Sequence, residues 1–316
     1  MPDTALSPVR PIGAHVPTTG GLAGGGLRYA AAVGAESIQV FVSNPRGWAL
    51  SAADERQDAA LRDQADRAGI GVFVHSPYLI NLGSPDPRTR ELSVGSLRHS
   101  LLRGGQIGAR GVVVHTGSAV GGDRAAALRQ VRECLLPLLD EISGHGPDLL
   151  LEPMSGQGDM LCSAVGDLGP YLDALDRHPR ANVCLDICHV FAAGHDLAGP
   201  DGVPAMLAEL ASVSPGRLRL IHANDSKDGC GSRKDRHENI GAGQLGAAPF
   251  GGLLRHPATA GVPFIVETPG GERGQAKDIA ILRGLRDGTQ PTAPDGTQLP
   301  GPDRATRSPD RGTALT

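Results

Sequence analysis

Eight short apolar runs, each closed by turn residues, leave this chain very few folds. They are PIGAHV (11–16), SIQVFV (37–42), GVFVHSPY (71–78), GVVVHTG (111–117), DLLLEP (148–153), NVCLDICH (182–189), RLRLIHAND (217–225) and PFIVETP (263–269). Their starts lie 26, 34, 40, 37, 34, 35 and 46 residues apart, so each of the first six gaps has room for one crossover helix and two loops. The runs are apolar on both faces, the pattern of parallel strands covered on both sides. Helical periodicity fills the gaps: Leu22, Leu27 and Ala30 in the first, DERQDAALRDQADRAG in the second, and Leu92, Leu97, Leu101 and Leu102 in the third. Eight such units predict an α/β fold, a single (β/α)8 TIM barrel, which usually holds about 250 residues. The competing architecture is an open doubly wound sheet. Against it, the third to eighth strands each end in a polar side chain able to bind metal. A barrel gathers those ends at one mouth, whereas an open sheet scatters them.

The seventh gap contains KDGCGSRKDRHENIGAGQLG (227–246), too polar and glycine-rich for a helix over its first half, and a long functional loop is expected there. After Arg286 the chain reads DGTQPTAPDGTQLPGPDRATRSPDRGTALT, nearly without apolar residues. The barrel domain is therefore expected over 11–286 and a disordered Pro/Gly-rich tail over 287–316. No apolar run approaches the roughly 18 residues of a membrane span. The N-terminus lacks the charged-then-apolar plan of a secretory signal, and the five cysteines form no CxxC pair. A reduced, cytoplasmic, monomeric protein is the expectation. With only 3% aromatic residues the core must rest on aliphatic side chains, which makes any exposed aromatic more informative.

At the strand ends and in the long loop stand His75, His115, Glu152, Asp186, His189, His222, Asp235, His237 and Glu267, five imidazoles and four carboxylates. Any one alone is more simply a structural polar residue. Nine at one rim without a cation would bury unpaired charge at a cost on the order of several kcal/mol each. A tetrahedral zinc takes about four ligands and carboxylates can bridge, so nine candidates suit two or three ions with positions left for water. Mixed imidazole and carboxylate ligation without thiolate favours zinc or manganese in a hydrolytic role. Two ions about 4 Å apart generate hydroxide near neutral pH and clamp the entering and leaving oxygens of a phosphoryl displacement, so phosphoester hydrolysis is the natural chemistry. In DICH, Asp186 and His189 stand three apart, so a strand turning into its loop can aim both inward. In DRH, Asp235 and His237 share a face if the segment is extended.

The blocks IGAHVPTTGGL, HSPYLINLG, HTGS, LDICHVFAAGHDL, HANDSK, KDRHENIGAGQLG and ETPGG, in this order over roughly residues 11–286, resemble the successive signatures of the endonuclease IV family of apurinic/apyrimidinic endonucleases. The resemblance implies a TIM barrel with three zinc ions, manganese being admitted at one site. It implies cleavage of the phosphodiester 5′ to an abasic site in duplex DNA, leaving a 3′-hydroxyl and a 5′-deoxyribose phosphate. By that resemblance Glu152, Asp186, His222 and Glu267 would hold one zinc, Glu152 would bridge to a second held by His75 and His115, and His189, Asp235 and His237 would hold the third. Glu267 and Glu152 would be the catalytic carboxylates, with Glu267 positioning or deprotonating the hydroxide that attacks phosphorus. Two positions depart from the family pattern. Pro153 follows Glu152 and removes a backbone donor, and Ile187 stands where a Thr is usual; neither is a ligand.

A net charge of −4 looks wrong for a nuclease, but three divalent ions would turn it to about +2. Arg233, Lys234 and Arg236 flank the DRH pair, and Arg46 follows the second strand; each reads as a phosphate contact or as a solvated loop cation. Tyr78 and Leu79 come directly after His75, and an apolar or planar wedge of this kind is what unstacking a nucleotide needs. Trp48 reads better as a cap on the barrel core. Two rival readings stand beside the nuclease. A single-metal sugar isomerase or epimerase on the same barrel would need only Glu152, Asp186, His222 and Glu267, and would leave the other five candidates and Tyr78 idle. A non-catalytic metal or damaged-DNA binding protein would not need a complete ligand set.

Overall fold

The computed structural model describes residues 9–290 apart from 143 and 145. Eight parallel strands close a barrel: β1 (Ile12–His15), β2 (Ser37–Val40), β3 (Gly71–His75), β4 (Gly111–His115), β5 (Asp148–Glu152), β6 (Ala181–Asp186), β7 (Leu218–His222) and β10 (Phe264–Val266). Between β7 and β10, β8 (Asp225–Ser226) and β9 (His237–Glu238) pair antiparallel as a short hairpin. The order around the barrel is β1-β10-β7-β6-β5-β4-β3-β2, so the (β/α)8 expectation holds and the open sheet does not. Of the expected tail, Asp287 is the last residue of the helix Gly271–Asp287 and Gly288 caps it in the left-handed region; residues 291–316 lie outside the described residues.

Period two along the strands sorts the side chains into layers. Outward positions such as Val72, Val74, Val112, Val114, Leu149, Leu151, Val183 and Leu185 pack under the helices in the main core. Inward positions Phe73, Val113, Leu150, Cys184, Leu220 and Ile265 form a separate plug inside the barrel. Two residues further along each of those strands stand His75, His115, Glu152, Asp186, His222 and Glu267. The ligand candidates are thus the next inward layer, at the C-terminal mouth. Register enforces the same level: His115 pairs with Glu152, and Asp186 with His222. Opposite them β1 supplies Gly13 and His15, and β2 supplies Ser37 and Gln39. A Cβ on Gly13 would lie 1.7 Å from Ser37 O, so only glycine lets these strands close.

The crossover helices start where the sequence offers caps. Asp54, Asp86 and Asp123 each accept backbone N–H bonds at the first turn of Glu55–Ala68, Pro87–Gln106 and Arg124–Glu141. The first crossover is irregular: Leu22–Leu27, with three consecutive glycines, winds as a wide π-helical turn before the α-helix Arg28–Val33. Among the described residues no helix is long and apolar enough to cross a membrane.

Candidate metal centre

The run NVCLDICH does not turn into a loop after Asp186. It enters the helix Ile187–Ala193 at once, because the Asp186 carboxylate caps that helix by accepting the His189 N–H at 3.0 Å. Asp186 and His189 therefore face the mouth together from a strand end and a first helical turn. The long loop is the connection of the β8–β9 hairpin, and it brings Asp235 and His237 over the same mouth. Its far side is held by Asp225, fully buried, which accepts from the backbone N–H groups of Ser226, Gly241, Gly243, Leu245 and Gly246 at 2.7–3.2 Å.

All nine candidates meet in one cup. Glu152 Oε2 lies 3.4 Å from His75 Nε2 and 3.5 Å from His115 Nε2, while its Oε1 lies 2.9 Å from His222 Nδ1 and 3.6 Å from His189 Nδ1. His222 Nδ1 is 3.3 Å from Glu267 Oε2 and 3.8 Å from Asp186 Oδ2. Asp235 reaches His189 Nε2 at 3.2 Å and His237 Nε2 at 3.1 Å, and His237 Nε2 lies 3.5 Å from Asp186 Oδ2. Two ligands on adjacent corners of a tetrahedron about a cation, with bonds of about 2.1 Å, stand about 3.4 Å apart. Most of these separations match that edge. Glu152 Oε2, His189 Nε2 and His237 Nε2 are moreover buried without a well-aligned hydrogen bond among the described residues and face other ligand atoms instead, as atoms arranged about a cation would. Three of the tight groupings are His75 with His115 and Glu152, Asp186 with His222 and Glu267, and Asp186 with His189 and His237. The donor set fits metal ions.

The remaining ring nitrogens have protein partners that fix the tautomers. His75 Nδ1 donates to Ser76 O at 2.7 Å and His189 Nδ1 to Pro153 O at 3.0 Å. The proline that removes a donor thus contributes its carbonyl. His222 Nε2 lies 2.9 Å from Gln39 Oε1. Asn224 donates to Asp186 Oδ2 at 2.8 Å and accepts from the Glu267 N–H at 2.8 Å. His15 Nδ1 and Gln39 Nε2 reach Glu267 Oε1 at 3.1 and 2.7 Å. Gln39, His15 and Asn224 were not singled out from sequence. The signal was there for the first two: a polar residue at the inward period of β2 and of β1, level with the ligand layer.

Electrostatics follows from this crowding. Burial lowers His189 and His237, but Asp186 and Asp235 outweigh it and raise them to about 10 and about 9. Burial likewise opposes His222, which the carboxylates of Glu267 and Glu152 nevertheless hold above the usual imidazole range. Burial lowers His115 to about 4. Burial raises Glu152, Glu267 and Asp235, but the imidazoles together hold them below the carboxylate range, His222 with His75 and His115 for Glu152, His222 with His15 and His75 for Glu267, and His189 with His237 for Asp235. Two cysteines not foreseen at the site, Cys184 and Cys188, lie within 4.8 Å of ligand atoms. Burial pushes Cys184 up to about 12 and raises Cys188 too, so both stand as thiols near neutral pH.

At the rim Tyr78 and Leu79 are 46% and 39% exposed. The Tyr78 ring stacks on His115 at 5.6 Å, and its N–H donates to Pro45 O at 2.9 Å, joining the loops after β3 and β2. Arg46 is exposed on the second of these, and Trp48 is partly buried against the core, as a cap should be. A cavity of about 270 Å³ opens beside Tyr78, His115, Met154 and Met160. Arg233, Lys234 and Arg236 are all exposed. Arg236 forms a two-pronged pair with Asp228 at 2.5 and 2.6 Å, and Lys234 lies 3.5 Å from the same carboxylate. Arg233 makes no ion pair among the described residues.

The sequence profile of the xylose isomerase-like TIM barrel family matches residues 27–285. A probable endonuclease 4 of Streptomyces coelicolor is 58% identical over 284 residues, 89% of this chain and 97% of that protein. Another from Halothermothrix orenii is 36% identical over 87% of this chain and 99% of its own length. The crystal structure of endonuclease IV from Thermus thermophilus superposes with a TM-score of 0.77 at 30% identity, covering 88% of this chain and all of that one. A D-tagatose 3-epimerase-like protein shares the fold at 18% identity and a TM-score of 0.65. On its barrel, its gathered ligand set and these likenesses, the chain belongs to the endonuclease IV family of nucleases, within the xylose isomerase-like TIM barrels.

Proposed function

We propose that this protein is a zinc-dependent endonuclease of base excision repair, hydrolysing the phosphodiester 5′ to an abasic site in duplex DNA and leaving a 3′-hydroxyl and a 5′-deoxyribose phosphate. The observation that carries the reading is the convergence of nine candidate ligands in one cup. A sugar isomerase would use four of them, Glu152, Asp186, His222 and Glu267, and would leave five buried or crowded groups without a task. In this reading His75, His115 and Glu152 would hold one ion, Glu152, Asp186, His222 and Glu267 a second, and His189, Asp235 and His237 a third. Zinc suits this imidazole-rich set, with manganese admitted at one position.

When bound, such ions lower the pKa of water and balance charge on a phosphoryl group undergoing displacement. The side chains supply the rest. Glu267, whose carboxylate is gripped by His15, Gln39 and Asn224, would orient the attacking water and take its proton. Glu152 would span two ions from the centre of the cup. Tyr78 and Leu79 would enter the duplex at the lesion, where a missing base makes unstacking cheap. Arg46, Arg233, Lys234 and Arg236 would meet phosphates, Arg236 by exchanging Asp228 for the backbone. A cytoplasmic monomer completes the reading.

The test is incubation of the protein with a duplex carrying one tetrahydrofuran abasic analogue, before and after prolonged chelation. Incision 5′ to the lesion is expected, with loss on stripping and return on adding zinc. No incision by metal-replete protein, or cutting indifferent to stripping, defeats the proposal.

A further inference from the structure

We propose that Gln39 is a positioning residue whose single amide fixes both the carboxylate of Glu267 and the tautomer of the His222 ring. The inference rests on the reading of the cup as a metal-dependent nuclease site and adds a residue to it. Gln39 lies on β2 and is fully buried. An amide there is costly unless its bonds are made, because each unmet group has given up its water. They are made only inside the cup: Oε1 lies 2.9 Å from His222 Nε2, and Nε2 lies 2.7 Å from Glu267 Oε1 and 3.0 Å from His15 Nδ1.

The orientation of that amide is forced. A carboxylate offers acceptors only, so the NH2 end must face Glu267 and the carbonyl must face His222. An oxygen at that place accepts only from an N–H, so His222 carries its proton on Nε2. Its Nδ1 lone pair then points toward Glu152 Oε1, Glu267 Oε2 and Asp186 Oδ2, at 2.9, 3.3 and 3.8 Å. With the amide reversed, the proton would sit on Nδ1, aimed at the cation position. The same bond acts on Glu267. His15 Nδ1, 3.1 Å from Glu267 Oε1, shares that oxygen with Gln39 and leaves Oε2 to face the cluster.

The test uses the full-length, zinc-loaded protein and the variant Gln39→Met, which keeps length and volume and removes both bonds. Zinc content is followed against a graded series of chelators, and cleavage of the tetrahydrofuran duplex is measured alongside. One ion of three is expected to dissociate about 10- to 100-fold more readily, with kcat lowered at an unchanged KM. Wild-type retention of all three ions, or loss of all three together, overturns the proposal. The zinc readout needs no substrate, so a wild type that fails to cut abasic DNA would sink the nuclease reading and leave the selective loss of one ion as support for Gln39. A second measurement avoids any variant: nitrogen-15 spectra of the imidazoles in zinc-loaded wild type should show His222 protonated on Nε2, and protonation on Nδ1 overturns the proposal.

Discussion

Loading the metal-free protein with zinc should release at least two protons near pH 7.5, because nitrogens that would bind metal are ones the surrounding carboxylates hold protonated. His189 and His237 stand at about 10 and about 9, so both carry a proton at pH 7.5. His115, lowered to about 4, has none to give, and Glu152, Glu267 and Asp235 are already ionised. Two protons displaced make the overall loading constant rise about a hundredfold per pH unit, flattening as pH passes His237 near 9. The sign carries over to stability. A raised folded-state value means that the metal-free protein holds this contribution fully below the ordinary imidazole value of 6.5 and loses it as pH rises to between about 9 and about 10. Zinc-loaded protein should lack that loss. The assay is titration calorimetry of zinc into chelator-stripped protein at pH 7.5 in buffers of different ionisation enthalpy, whose slope counts protons. A slope below one proton would refute the reasoning, since it would mean that the carboxylates do not face those rings in solution.

Three further outcomes are expected. Glu267→Gln, which keeps the shape of the side chain, should bind abasic duplex normally and turn over about 10²- to 10⁴-fold more slowly; undiminished turnover removes Glu267 from the proton transfer. Tyr78→Ala should weaken binding to the lesion by about 1–3 kcal/mol in a band-shift titration with zinc content unchanged, and a wild type that binds damaged and intact duplex equally would count against any wedge. Asp228→Ala should release Arg236 and Lys234, tightening DNA binding and steepening its dependence on log salt by about one to two; an unchanged salt slope would show that these cations do not reach phosphate.

Charge reconciles with function only at the level of the site. Four carboxylates of the cup are ligand candidates, so the surplus of −4 is largely the charge that the cations would neutralise. The exposed cations do less than their number suggests. Arg236 and Lys234 share one acidic partner, which leaves Arg46 and Arg233 as the cations on these loops without an ion pair among the described residues.

By itself the sequence determined the barrel and the identity of the nine candidate ligands. Eight apolar runs at crossover spacing admit little else, and period two carries the last inward residue of each strand to the same mouth. Face and level are local properties of a strand, so they are legible without a structure. Partnership is not local. That Glu152 touches four imidazoles arriving from β3, β4, the helix after β6, and β7 depends on closure of the ring. Closure likewise turns Gln39 and His15, unremarked as single polar residues, into the grip on Glu267. The β8–β9 hairpin was invisible because two-residue strands carry no periodicity, and its place over the cup comes from Asp225 collecting amides up to 21 residues away. Only the folded chain could set Arg236 against Asp228, or bring the thiols of Cys184 and Cys188 beside the ligands. Those contacts join residues whose separation in sequence says nothing of their distance in space.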